Sequence, residues 1–172
     1  MTEQDPFAEA SDGPMFAVTA AAGGERAGCL VGFASQCSIH PPRFVVWLST
    51  ANHTYRVARE APYLTVHLLR RDQRALAELF GGECGDRVDK FARVGWRPGL
   101  EGSPVLTDVR TWFTGRVEGR FEGGVGGGGG TVGGDHVGFL LSLAERCPPV
   151  EGTVPALLRY EDVGDLEAGH PA

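Results

Sequence analysis

The sequence predicts a mostly β fold, an antiparallel barrel decorated by short helices. Three observations carry that class. Apolar, β-branched and aromatic runs recur at close intervals, helical stretches are few and short, and helices do not alternate with strands as a parallel sheet requires. At 172 residues the chain suits one domain able to bury its own core. We take 15–161 as that domain. The acidic, polar stretch 1–14 reads as a disordered leader, and 162–172 as a flexible tail.

The elements come in order. "MFAVTAAAGGERAGCLVGFAS" reads as two strands joined at Gly23-Gly24, a favoured hairpin dipeptide. "RFVVWLS" is a third strand opening after Pro41-Pro42, since prolines cannot donate to a ladder and belong at an entry or edge. "ANHTYRVAREAP" reads as a short helix capped by Asn52 or Thr50 and closed before Pro62. "YLTVHLL" is a strand, and "DQRALAELFGG" a helix capped by Asp72 and stopped by Gly81-Gly82. The second half returns to strands in "RTWFTGRVEGRF", "HVGFLLSLAERC" and "ALLRY".

Composition excludes several function classes. Hydrophobic residues make up 42%, so the chain is globular rather than disordered. A net charge of −6 without a basic tract argues against nucleic acid or an anionic membrane as partner. No run approaches the roughly 20 apolar residues of a membrane span. The N-terminal residues lack the character of a secretory signal, so a cytoplasmic protein is expected. Cys29, Cys37, Cys84 and Cys147 then read as reduced thiols, too widely spaced for a zinc site with the histidines.

"GVGGGG" at Gly124–Gly129 satisfies G-x-G-x-x-G, but the residues after it, "TVGGDHVGFLLSL", read as strand. A dinucleotide fingerprint needs a helix N-terminus facing the pyrophosphate, so the stretch is read as a flexible hairpin loop. No G-x-S-x-G elbow surrounds any serine.

One run raises a sharper question. "AGCLVGFASQCSIHPPRFVVWLS" places Gly28, Gly32, Ala34, Ser35 and Ser38 where a core strand wants bulk. Small residues let something approach the backbone, or they mark a bulge.

Several motifs occur in one order. They are "SIHPP" at Ser38–Pro42, "VVWLSTANHTYRVA", and "LTVHLLRRDQRALAELF" with Gln73. "DKFARVGW" and Gly134-Asp135-His136 before a strand complete the series. Over roughly Met15 to Tyr160 the chain resembles the flavin reductase family of FMN-binding split β-barrels. The resemblance implies that FMN, or FAD, lies along Leu30, Val31, Gly32 and Phe33, with Ser35 and Gln36 next. It places the phosphate around Ser49, Thr50, Asn52 and Thr54, with Arg56 reaching from the helix. A helix N-terminus offers N–H groups to an anion there, although capping alone also explains Thr50 or Asn52. The implied reaction is hydride transfer from NADH or NADPH to flavin.

His136 is the candidate assisting residue; the other reading has it closing the glycine loop onto the barrel. His40, His53 and His67 read as structural. The resemblance further implies a homodimer with flavin near the subunit interface, and a monooxygenase that takes up reduced flavin. Leu30, Gly32 and Phe33 stand where many members carry Thr and Ser, which implies fewer side-chain bonds to the ring and leaves both a tightly bound and an exchanging flavin open. The alternatives are a non-catalytic flavin carrier or redox sensor, and a split-barrel oxidoreductase using a related cofactor.

Overall fold

The computed structural model describes residues 5–122, 134–153 and 155–169. Among these residues are nine strands with a few short helices between them. Strands β1 (Phe16–Ala22) and β2 (Glu25–Val31) form the expected hairpin, with Gly23 and Gly24 at φ +57° and +79° in its turn. Both positions lie in the left-handed region that glycine occupies without strain. Next come β3 (Ala34–Ile39), β4 (Pro42–Ser49), helix α2 (His53–Ala58) and β5 (Tyr63–Leu68). A short N-terminal helix, α1 (Pro6–Ser11), precedes them all. The rest comprises α3 (Arg74–Gly82), β6 (Trp96–Pro98), β7 (Pro104–Leu106), β8 (Trp112–Glu122), β9 (His136–Arg146) and α4 (Tyr160–Val163).

Seven strands make one antiparallel sheet in the order β2-β1-β5-β8-β9-β4-β3, and β6 and β7 pair separately. The class is mostly β, as expected, but the ladder does not close into a barrel: β2 and β3 remain its edges. Alternation along β1 serves two cores. Phe16, Val18 and Ala20 face one, with Val46, Leu48, Leu64, Val66, Phe139 and Leu141; Met15 and Ala17 face the other, beneath Phe80, Leu106 and Leu158. Buried His67 stitches this region together. Its Nδ1 lies 2.9 Å from the Ala17 carbonyl, and its Nε2 accepts the Leu106 N–H at 2.9 Å.

Several expectations change. The second strand of the hairpin does not run on through Ser35; Gly32 and Phe33 break it, and β3 turns back as a separate edge strand against β4. Asp72 does not cap α3 but pairs with Arg70 at 2.9 Å, while Gln73 accepts the Arg70 N–H and donates to the Asp108 carbonyl. "ALLRY" makes only isolated bridges at Leu157 and Arg159 before turning into α4.

Both ends of the described chain are packed. Asp5 caps α1, Ala8 is buried, and Pro14 bridges Arg159. The C-terminal segment docks because Arg71 and Arg74 on one side meet Asp162 and Asp165 on the other, and the Gly169 N–H reaches the Gly81 carbonyl at 3.0 Å. The glycine-rich loop expected before Gly134 lies outside the described residues over 123–133.

Candidate functional site

A cavity of about 580 Å³ opens where the end of β2, the end of β4 and the start of β9 converge. That volume is in the range of cofactor sites. Its walls include Leu30, Val31, Gly32 and Phe33 from β2 and the adjoining residues, and Ser49, Thr50 and Asn52 from the turn after β4. Trp47 and His136 add an indole and an imidazole, and Met15, Tyr160 and Ala168 close the far side. Eight of the expected site residues thus share one cavity. A smaller one of about 200 Å³ adjoins it beneath the C-terminal segment, sharing Met15, Leu30, Asn52, Tyr160 and Ala168.

The small residues prove to have different reasons. A Cβ at Gly28 would lie 2.6 Å from the Phe80 ring, so the protein's own side chain fills that space. At Gly32 the nearest atoms are the Met15 thioether and methyl at 3.4 Å, ordinary contact, and the remaining space belongs to the cavity. On the β3 edge Ala34 packs against the main core, Ser35 is exposed and Ser38 is half-buried.

Four expected residues lie elsewhere. Ser35 and Gln36 are exposed on β3, and Gln36 turns to the Ser38 carbonyl, because the chain leaves the cavity after Phe33 to form a separate edge strand against β4. Thr54 is buried on the inner face of α2, beside Cys29. Arg56 bonds Asp86 at 2.5 Å, on the side of α2 away from the cavity, and that bond raises its own pKa and holds the Asp86 carboxyl low. His53 joins this cluster between Glu25 and Asp86, each at 2.9 Å.

The turn after β4 offers polar atoms without a formal cation. Asn52 caps α2 by accepting the Thr54 N–H at 3.1 Å, which leaves its amide NH₂ able to donate. The Ser49 hydroxyl accepts from the Ala51 N–H, and the Thr50 hydroxyl donates to the Asp135 carbonyl. Helix α2 has six residues, so hydroxyls and amides rather than a macrodipole are its contribution.

His136 opens β9 opposite Ser49. Its Nδ1 lies 2.6 Å from Asp135 Oδ1, and its ring rests against Phe33 with centroids 5.1 Å apart. His67 is no part of the cavity; burial draws its pKa down to about 4 and keeps the ring neutral. Cys29 reaches the wall as a neutral thiol, since burial pushes its pKa up to about 11.

Sequence reasoning missed Met15, Trp47, Tyr160 and Ala168, which reach the cavity only through the tertiary fold. Among the described residues, no group of histidine, cysteine and carboxylate side chains could hold a metal ion, and no helix is long and apolar enough to cross a membrane.

Comparison with known proteins agrees with this geometry. The family model "Flavin reductase like domain" matches residues 10–142. "FMN reductase (NADH) RutF" of Cronobacter sakazakii is 33% identical over 122 residues, covering 69% of this chain and 72% of that one. "Probable flavin reductase" of Rhizobium meliloti is 30% identical over 100 residues, 56% of this chain. This chain spans about a third of that relative's length, the aligned share being 31%. Among solved structures, the NADH:FAD oxidoreductase SgcE6 of Streptomyces globisporus superposes with a TM-score of 0.68 at 22% identity. That match covers 81% of this chain and 79% of the other, and it carries the likeness of fold. A cavity walled by the expected strand and a family match across both its sides lead to one conclusion: the chain belongs to the flavin reductase like domain family.

Proposed function

We propose that the protein is an NAD(P)H-dependent flavin reductase that passes a hydride from reduced nicotinamide to FMN or FAD. The observation that carries this reading is the cavity: its wall includes Leu30, Val31, Gly32 and Phe33, with no side chain at Gly32, and its rim holds Ser49, Thr50 and Asn52. A flat tricyclic ring can lie on such a wall, and a phosphate can meet the hydroxyls and amide. The flavin, when bound, supplies the hydride-accepting chemistry.

The chain's own residues hold and shield. Leu30–Phe33 orient the ring through the backbone, while Trp47, Met15 and Tyr160 narrow the cavity and exclude water. Asp135 and Phe33 fix the His136 imidazole at the rim, where it can position the nicotinamide or the flavin edge. The described lining contains Asp5 and Asp135 but neither arginine nor lysine, which supports a flavin that binds and leaves. The same acidic rim favours NADH over the additional phosphate of NADPH, in keeping with the Cronobacter relative's name. Reduced flavin leaving the site suits a partner monooxygenase, and use of soluble nicotinamide suits a cytoplasmic setting.

A homodimer is part of this reading. Ile39 and Leu143 are 69% and 54% exposed, and Leu143 joins Phe44, Phe113 and Leu141 around an apolar hollow of about 220 Å³. Exposed apolar groups grouped in this way favour a second subunit.

The purified protein is expected to bind FMN and to oxidise NADH when flavin is present; absence of both refutes the proposal. His136→Ala should slow flavin reduction about tenfold while FMN affinity stays within about threefold. An unchanged rate returns His136 to a structural role.

A further inference from the structure

Lys90 is the only lysine in the chain, and it is 3% exposed. Its ammonium donates to the Gly28 and Phe80 carbonyls, 2.9 Å each, and lies 5.6 Å from the centre of the Phe80 ring. Among the described residues it makes no ion pair within 4 Å. A buried cation held only by carbonyls and a ring face is a costly arrangement.

Its position explains where the charge acts. Strand β2 is a sheet edge, bonded on one side to β1. Lys90 takes the place of a missing neighbour at Gly28. In an antiparallel strand the N–H and C=O of alternate residues point to the same side, so Leu30 shares the edge that Gly28 turns to Lys90. Leu30 and Cys29 line the large cavity. The fit around this point is close on both sides: Phe80 leaves no room for a Cβ at Gly28, and Leu30 leaves none at Gly81.

Resting on the reading of that cavity as a flavin site, we propose that Lys90 is a positioning residue that fixes the Gly28–Leu30 edge and places a positive charge behind it to favour the anionic, reduced flavin over the oxidised one. The other ionisable groups around it are Cys29, Cys84 and Glu83. Cys29 stays neutral, so it does not cancel the charge.

The test measures the affinity of oxidised and of reduced FMN, under anaerobic conditions, for the wild type and for Lys90→Gln and Lys90→Met. Circular dichroism checks that each variant is folded. Both variants are expected to bind oxidised FMN within about threefold of wild type and reduced FMN about tenfold more weakly, which lowers the bound-flavin potential by about 30 mV. Equal loss for both forms, or loss for neither, overturns the electrostatic role. Should neither variant fold, the wild type decides through the absorbance of bound reduced FMN. It should remain anionic one pH unit below the point at which free reduced FMN is protonated. Protonation at the same pH as the free molecule overturns the inference. A wild type that binds neither form overturns the flavin site itself, and this inference with it.

Discussion

Gly28 and Gly32 lie four residues apart, the first packed against Phe80 and the second on the cavity wall, and replacing each with alanine should give opposite results. At Gly28 the new methyl would sit 2.6 Å and 3.0 Å from two Phe80 ring atoms and 3.2 Å from Thr19 Cγ2. Carbon atoms prefer about 3.5–4.0 Å, so roughly an ångström of movement is required. Phe80 is buried, with Phe91 edge-on at 6.0 Å and Lys90 above it, so its ring can give way only towards the small cavity it lines. Overpacking of this kind costs about 1–3 kcal/mol. For a chain of this size, each kcal/mol lowers Tm by about 2–4 °C, so a fall of about 5 °C is expected.

At Gly32 the methyl meets only the flexible Met15 side chain at 3.4 Å, so stability should change by no more than about 0.5 kcal/mol. The methyl does occupy the space between wall and ring. A loss of about 1.4 kcal/mol of binding corresponds to tenfold weaker FMN affinity. Thermal melting followed by circular dichroism and an FMN fluorescence titration on both variants separate the effects. Binding of FMN by Gly32→Ala as tight as the wild type's, or wild-type melting of Gly28→Ala, would refute this account of the wall.

Two further outcomes are expected. His67 has its pKa drawn by burial from 6.5 to about 4, so between those values the unfolded chain takes a proton that the folded chain does not. Stability is therefore full above about pH 6.5 and is lost as the pH falls towards 4, by roughly 3 kcal/mol in all. Urea unfolding at pH 7 and pH 5 should show this slope in the wild type and a flatter one in His67→Gln; equal slopes would assign the acid sensitivity elsewhere. Leu143→Arg places a charge on the apolar face proposed to join two subunits. It should turn a dimer into a monomer in sedimentation at micromolar concentration, and a wild type that already sediments as a monomer removes the dimer.

Much of the fold was legible because it is locally encoded. The Gly23-Gly24 turn, the Asn52 cap, and strands β4, β5, β8 and β9 stand close to where residue type and alternation place them. Strand β3 was not separated from β2 because "ASQCSI" is largely exposed and carries no apolar alternation. Helices α1 and α4 look like polar ends in sequence, and the C-terminal one is tied down by distant partners, through ion pairs with Arg71 and Arg74 and burial of Val163 in the core. The site divides in the same way. Ser49–Asn52 lie at a strand end that the sequence marks, whereas Leu30–Phe33 were placed by the family resemblance and the break at Gly32 was not foreseen. Arg56 was misplaced because its partner, Asp86, is 30 residues distant. Lys90 stood inside a noted motif, yet its role depends on carbonyls of β2 and α3 that the motif does not contain.

The strand order has a consequence for synthesis. The two strands at the middle of the sheet, β8 and β9, are the last of it to leave the ribosome, and they lie between β5 and β4. Until they emerge, the β1–β2–β5 and β3–β4 pieces each present an unpaired flank to the cell. Such late closure makes folding slow and leaves nascent chains open to association with one another, so yield in a host cell should respond more to chaperone supply and temperature than to the stability of the finished protein.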